Sequence, residues 1–252
     1  MRLLNLIILG TAGSGKSALT AKFGKWIKQN TDRSVAYINL DPGSDYVPFE
    51  PDFDIREHFT IARIMRDENL GPNGAMIRAS ELLSDKAAEF AKAINKIEAD
   101  VRLVDTPGQM EVFLFHGGPE ITKLMRGVTI SLFMTDAKIA EKASGLVLTR
   151  LLGLSTSLRL GVPAVSVLNK IDLVGDKLAD IDRLLSDSEF LRDRVIKEGS
   201  GVMIDLTLSL SKTLPELLPA ARLVNVSAKT GEGMAELYDI VHEIFCACGD
   251  LT

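Results

Sequence analysis

LLNLIILGTAGSGKS, residues 3–17, is the stretch on which the fold turns. LLNLIIL is apolar, too short for a helix and bounded by glycine, so it reads as a buried strand. Gly10 to Ser17 then spell G-x-x-x-x-G-K-S, and SALTAKFGKWIKQN continues as a helix. Strand, glycine loop and helix start in this order give the motif its meaning. The glycines let backbone amides turn inward around phosphates, and the helix N-terminus adds positive potential. Gly13, Ser14, Gly15, Lys16, Ser17 and Ala18 are the candidate nucleotide contacts, with Lys16 directed at the β and γ phosphates and Ser17 at Mg²⁺. A glycine-rich turn without ligand is the bland alternative, and the matched context weighs strongly against it.

Outward from this unit the theme repeats. SVAYINL (34–40), VRLVD (101–105), VTISLFM (128–134), PAVSVLN (163–169) and ARLVNVS (221–227) are further short apolar runs. Helical patterns at 146–160 and 233–245 lie between or after them. Near-continuous apolar strands alternating with helices predict an α/β fold, a mostly parallel sheet covered on both faces. With the phosphate loop this is the three-layer P-loop NTPase architecture. Two regions break the rhythm. Residues 55–98 read as two helices split by GPN, with Ile77, Leu82, Leu83, Phe90, Ile94 and Ile97 giving the second an apolar face. Residues 176–218 read as another pair of helices, and the economical organisation of 1–252 is one domain carrying both insertions.

The bulk numbers exclude several classes. The chain has 252 residues, 46% hydrophobic and 25% charged, near the soluble average. Its net charge of −5 argues against a surface that neutralises many phosphates, so no direct nucleic-acid partner is expected. The opening apolar run is too short for a signal peptide, and no segment is long enough to span a membrane. Cys246 and Cys248, in FCACG, could hold half a metal site; with three histidines in the chain a second half is hard to find, and partly buried helix residues are the simpler reading. A reducing cytoplasm fits these features.

Three further motifs fall at strand ends. In VRLVDTPGQ, Asp105 closes a hydrophobic strand beside the phosphate loop, placed to hold Mg²⁺ directly or through water, while Gly108 offers a backbone amide to a γ-phosphate. In VLNKID, Asn169, Lys170 and Asp172 give N-K-x-D. Asp172 can accept from both the N1–H and the 2-amino group of guanine; adenine leaves a buried carboxylate unpaired, a penalty of ~10⁴-fold or more. Lys170 would lie along the base plane, and in NVSAKTGEG the amide of Ala228 would meet guanine O6. Four such elements in order indicate GTP and GDP as ligands. LGPNGA (70–75) alone is turn chemistry: Gly71 for unusual dihedrals, Pro72 to stop a helix, Asn73 to cap the next.

Taken together, these blocks resemble the GPN-loop GTPases, relatives of the dimerising SIMIBI-class proteins. The resemblance rests on GTAGSGKS, INLDPGSDYVPFEPDFDIRE, GPNGA, DTPGQMEVFLFHGG, NKIDL and SAKTGEG. It implies a Mg²⁺-dependent homodimer of archaeal type, hydrolysing GTP to GDP, with the GPN loop (Gly71, Pro72, Asn73) reaching the partner's phosphates. Asn73 is then a neutral donor for phosphate oxygens. Asp41 of NLDP, with Gln109 and Glu111 of DTPGQxE, lies around the attacking water, where orientation matters more than base strength. Without the other blocks Asp41 is a turn residue and Glu111 a solvated charge. Departures are Gly43 after NLDP and Gly117, Gly118 and Pro119 after FLFH, which implies a more flexible or differently turned loop there. His116 reads more simply as a packed loop histidine than as a group supporting the site. An assembly factor with incidental hydrolysis is the competing class, and RNA polymerase subunits are clients that the resemblance suggests. A metal-delivery GTPase would need a histidine tract or C-x-x-C, and neither is present.

Overall fold

The computed structural model describes residues 3–199, 201–217 and 223–250. β1 (Leu4–Gly10) and α1 (Lys16–Asn30) form the opening unit. After β2 (Val35–Asn39) and the short β3 (Phe53–Asp54) come helices α2 (Ile61–Asp67), α3 (Pro72–Asp85) and α4 (Ala87–Ile94). Next are β4 (Val101–Asp105), α5 (Met110–Phe115), α6 (Gly117–Leu124), β5 (Val128–Asp136), α7 (Ala137–Ala140), α8 (Ala143–Leu160) and β6 (Ala164–Asn169). Helices α9 (Leu178–Ser186), α10 (Ser188–Lys197) and α11 (Val202–Leu217) precede β7 (Leu223–Val226) and α12 (Met234–Asp250).

Among the described residues the strands form one seven-stranded sheet in the order β3-β2-β4-β1-β5-β6-β7, and every pairing is parallel. Parallel neighbours need a crossover, and the helices supply it on both faces. In β1, Leu4, Leu6 and Ile8 face Leu19 and Phe23 of α1 and Leu237 of α12. Ile7 and Leu9 face the other way, toward Leu83, Phe90, Phe113 and Ile121. Burial on both sides is why β1 shows no polar alternation. Truncating the fully buried Phe23 to alanine should cost about 3–5 kcal/mol, a transfer loss plus a cavity.

The parallel arrangement turns every strand's C-terminal end to one edge. There Ile8 pairs with Asp105, Asp136 with Asn169, and Asn169 with Val226.

Several expectations need correction. β3 was not anticipated, since two residues carry no periodicity. The 55–98 region holds three α-helices, because the run after GPN breaks at Lys86. Ile77 does not share the apolar face; it is 57% exposed, while Leu83, Phe90 and Ile94 are buried. The 176–218 region also holds three helices, and position 218 lies outside the described residues, as do 221–222 of the sixth expected strand.

The GPN turn differs too. Gly71 is the N-cap of α3 with φ −72°, so it needs no unusual dihedral; Asn69, at φ 51°, makes the left-handed step. Pro72 begins the helix, where a missing N–H costs nothing, and Asn73 sits inside the first turn instead of capping it. Gly117 and Gly118 are not a loose loop. They are the buried start of α6, where an added Cβ would meet the Ser84 amide at 2.6 Å and the Phe113 carbonyl at 2.3 Å. Close packing against α3 and α5 explains the departure.

Candidate functional site

The phosphate loop fills the space between β1 and α1. Gly15, at φ 92°, is its N-cap, and a Cβ there would sit 2.5 Å from Asn169 Nδ2. Glycine is required by both conformation and proximity. Lys16 is buried, and its ammonium donates to the carbonyls of Gly10 (3.2 Å), Thr11 (3.3 Å) and Gly108 (3.2 Å). Burial pulls its pKa below the ordinary value, opposed by Asp105, Asp41 and Glu111. Ser14 is buried with its hydroxyl unpartnered, Ser17 is half-buried, and Ala18 is exposed on the first turn of α1.

Asp105 is fully buried, and neither carboxylate oxygen has a hydrogen-bond partner of proper geometry among the described residues. Burial pushes its pKa to about 7; the Ser17 hydroxyl beside it and Lys16 ease its charge, and Asp41 opposes it. An orphaned carboxylate next to a serine hydroxyl, at the phosphate end of the sheet, is a donor set of hard oxygens that fits Mg²⁺.

Asp41 lies half-buried in a turn of its own making, accepting the Gly43 amide at 2.9 Å. Burial raises its pKa, against the Gly43 amide, Lys16, the Gly108 amide and Arg56. Its loop is anchored by residues the sequence reading gave no role. The Asp41 amide donates to Asn39 Oδ1 (3.0 Å), Asn39 Nδ2 donates to Asp54 (2.9 Å), and Arg56 grips Asp54 with two nitrogens. Burial disfavours the Asp54 charge, but the Arg56 bonds prevail and hold its pKa low. The D-x-R spacing within DFDIRE was the available signal.

Across from this loop, Asn73 is exposed at the start of α3 and shares an open cleft with Gln109, Glu111, Phe115 and His116. Gln109 is the N-cap of α5, with Glu111 in its first turn. His116 is exposed, not packed. Gly108 turns its carbonyl toward Lys16 and its amide toward Asp41.

At the other end of the loop, Asn169 Nδ2 donates to the Ser14 carbonyl (2.8 Å), and Lys170, left-handed at φ 69°, donates to the Gly13 carbonyl (2.6 Å). Asp172 is exposed, not buried as the adenine-exclusion argument supposed, and accepts the Ser227 hydroxyl at 2.6 Å. The Ala228 amide donates to Asn169 Oδ1 at 2.9 Å, so a base oxygen would have to share or displace that bond. Asp136, another residue the sequence reading missed, ends β5 and pairs with Lys170 at 2.8 Å while capping α7 through the Lys138 amide. Burial works against its charge, but those bonds keep its pKa low. Cys246 is exposed on α12 near His242, Cys248 is half-buried, and no cluster able to hold a metal occurs among the described residues.

A parallel sheet with a glycine-rich loop of P-loop sequence after its first strand and an N-K-x-D run on a second loop beside it defines a P-loop nucleotide hydrolase. A family model described as "Conserved hypothetical ATP binding protein" matches residues 8–247. GPN-loop GTPase PAB0955 of Pyrococcus abyssi is 37% identical over 98% of this chain and 99% of its own. The solved structure of PAB0955, titled a GTPase in apo form, superposes with a TM-score of 0.88, covering 97% of this chain and 98% of that one at 35% identity. GPN-loop GTPase 1 of Dictyostelium discoideum is 31% identical over 94% of this chain, which spans 60% of that longer protein. The chain belongs to the GPN-loop GTPases. The description's ATP and the relatives' GTPase names differ.

Proposed function

We propose that two copies of this GTPase face each other across their nucleotides as a Mg²⁺-dependent switch, each GPN loop serving the partner's phosphates. The observation that supports it most is the exposure of Asn73 at the start of α3, in a cleft that no residue of this chain's own phosphate loop lines. A carboxamide there is free to meet phosphate oxygens brought from outside. Lys16 leaves its carbonyl partners for the β and γ phosphates, and Asp41, Gln109 and Glu111 orient the attacking water. Ser17 and Asp105 would hold Mg²⁺, whose charge offsets that of the phosphates.

The test is complementation. Asn73→Ala and Glu111→Ala should each slow GTP turnover with little loss of GTP affinity. Mixed, after subunit exchange is confirmed, they should regain activity, because one site of the mixed dimer has its own Glu111 and the other subunit's Asn73. Turnover that stays at the residual rate at every mixing ratio would remove the trans arrangement. A second reading, an assembly factor for a protein client such as an RNA polymerase subunit, draws support from exposed Leu148 and Leu158 on α8 and Val202 and Leu206 on α11. Client binding that depends on nucleotide without stimulating turnover would favour it.

A further inference from the structure

Away from the nucleotide loops, α8 packs against α10 and α11, and α9 against α10, around a cavity of about 150 Å³. Leu146, Val147, Leu184, Leu185 and Leu191 form the apolar part of its walls, three serines a polar part, and Arg150 of α8 lies among them. Leu146 and Leu184 are fully buried, so this is the edge of a core and not a surface dimple.

A guanidinium is a poor choice for such a place. It cannot shed its proton, so burial cannot be relieved by neutralisation. Three other arginines each have a partner, whatever their burial. Half-buried Arg56 grips Asp54, buried Arg102 donates to the Ile97 carbonyl at 2.7 Å while its Nε stays unpartnered, and exposed Arg159 donates to the Leu114 carbonyl at 2.9 Å. Arg150 has no hydrogen bond or ion pair among the described residues. Burial lowers its pKa with no carboxylate near enough to raise it. The serines lining the cavity do not compensate. Ser186 and Ser211 spend their hydroxyl protons on the Asp182 (2.9 Å) and Leu208 (2.8 Å) carbonyls, and hydroxyls carry no counter-charge in any case.

We propose that this cavity is a binding site for a small monocarboxylate with a short aliphatic body, its carboxylate paired with Arg150 and its chain among the leucines. The guanidinium fork suits a carboxylate in two-point contact, and the walls favour a hydrocarbon tail over inorganic phosphate. No residue of the phosphate loop, the GPN turn or N-K-x-D lines it, so occupancy is separate from nucleotide binding.

The test uses the full chain with butyrate and hexanoate as probes, hexanol as the uncharged control and inorganic phosphate as the anion without a tail. Titration by NMR or calorimetry should show hexanoate binding, with hexanol and phosphate each weaker by about tenfold or more, the factor expected for one charge-assisted contact. Arg150→Leu should abolish the preference of hexanoate over hexanol and, with no probe added, raise the melting temperature, since it removes an unpaired, half-buried charge. Arg150→Lys should keep part of the preference, and GTP turnover should be unchanged in all three proteins. If Arg150→Leu fails to fold, the wild-type ranking of the four probes decides alone. Equal binding of hexanoate and hexanol, tighter binding of phosphate, or hexanoate binding that survives Arg150→Leu would each overturn the assignment.

Discussion

Replacing Asp105 with asparagine removes the charge while keeping the shape, and its effect on stability can be worked from the structure. In the unfolded chain this carboxyl titrates at its ordinary value of 3.8, whereas in the fold burial raises it to about 7. Between those values the unfolded state has lost the proton and the folded state keeps it. The unfolded state therefore binds fewer protons, and the fold loses stability as pH rises. At 1.36 kcal/mol per pH unit, the interval from 3.8 to about 7 corresponds to about 4 kcal/mol as an upper figure, all of it lost above pH 7. Asparagine has no such slope. Denaturant unfolding of both proteins, in chelator and without nucleotide, from pH 4.5 to 8.5, should show the variant gaining on wild type up to about pH 7 and level beyond. The difference cancels the titration of groups that do not interact with Asp105; Asp41 and Lys16 do interact with it and stay part of the difference. Addition of Mg²⁺ with GDP should reverse the order, stabilising wild type more, because a cation offsets the very charge that burial penalises. A difference independent of pH, or a wild type that is more stable at pH 8 without ligand, would refute both the orphaned carboxylate and its assignment as a cation ligand.

Three other outcomes follow from the geometry. Asp172→Asn should lower GTP affinity by at least about 100-fold, the loss of two charge-assisted bonds, and gain affinity for xanthosine triphosphate; competition between the two nucleotides measures it. Lys16→Ala should weaken triphosphate binding on the order of 100-fold with an unchanged circular dichroism spectrum, since it takes away a charge held by loop carbonyls and not a packed side chain. Asp136→Ala should speed GDP release about threefold to tenfold by freeing Lys170, with Asp136→Asn intermediate; a half-exposed pair warrants no more, and unchanged release kinetics would make Asp136 only the cap of α7.

What the sequence could show depends on whether the signal was local. Strand β1, its loop and α1 are contiguous, so burial pattern and motif agreed, and the observed bounds differ by a residue. Asp105, Asn169 and Lys170 were legible for the same reason, each closing an apolar run whose end marks one edge of a parallel sheet. The residues that escaped are those whose partners are distant in the chain. Asp136 matters because β5 and β6 pair in a register that places it opposite Asn169, which no periodicity in either strand reveals. Asn39 and Asp54 meet only because β3, two residues long, lies beside β2. The error at Ile77 has a related cause: α3 and α4 are separate helices, so one apolar stripe drawn across both rotates out of phase after Lys86.

The base-reading and phosphate-binding residues also turn out to be one hydrogen-bonded unit. Asn169 and Lys170 hold the carbonyls of Ser14 and Gly13, and in a trans peptide the next amide points the opposite way. The Ser14 amide closes the loop onto the Thr11 carbonyl at 3.1 Å, while the Gly15 amide is directed away from Asn169, into the loop. Asn169 and Lys170, the candidates for reading the base, thus also set the direction of amides in the phosphate loop. Lys16 makes the complementary link, because its bond to the Gly108 carbonyl ties the segment after β4 to the loop. Those carbonyls are neutral, and phosphate oxygens make charge-assisted bonds roughly twice as strong. In the proposed role of Lys16, phosphate oxygens would compete with the Gly108 carbonyl for its ammonium. The phosphate loop and the segment that leads to Gln109 and Glu111 are thus joined through one ammonium, a link that neither motif carries by itself.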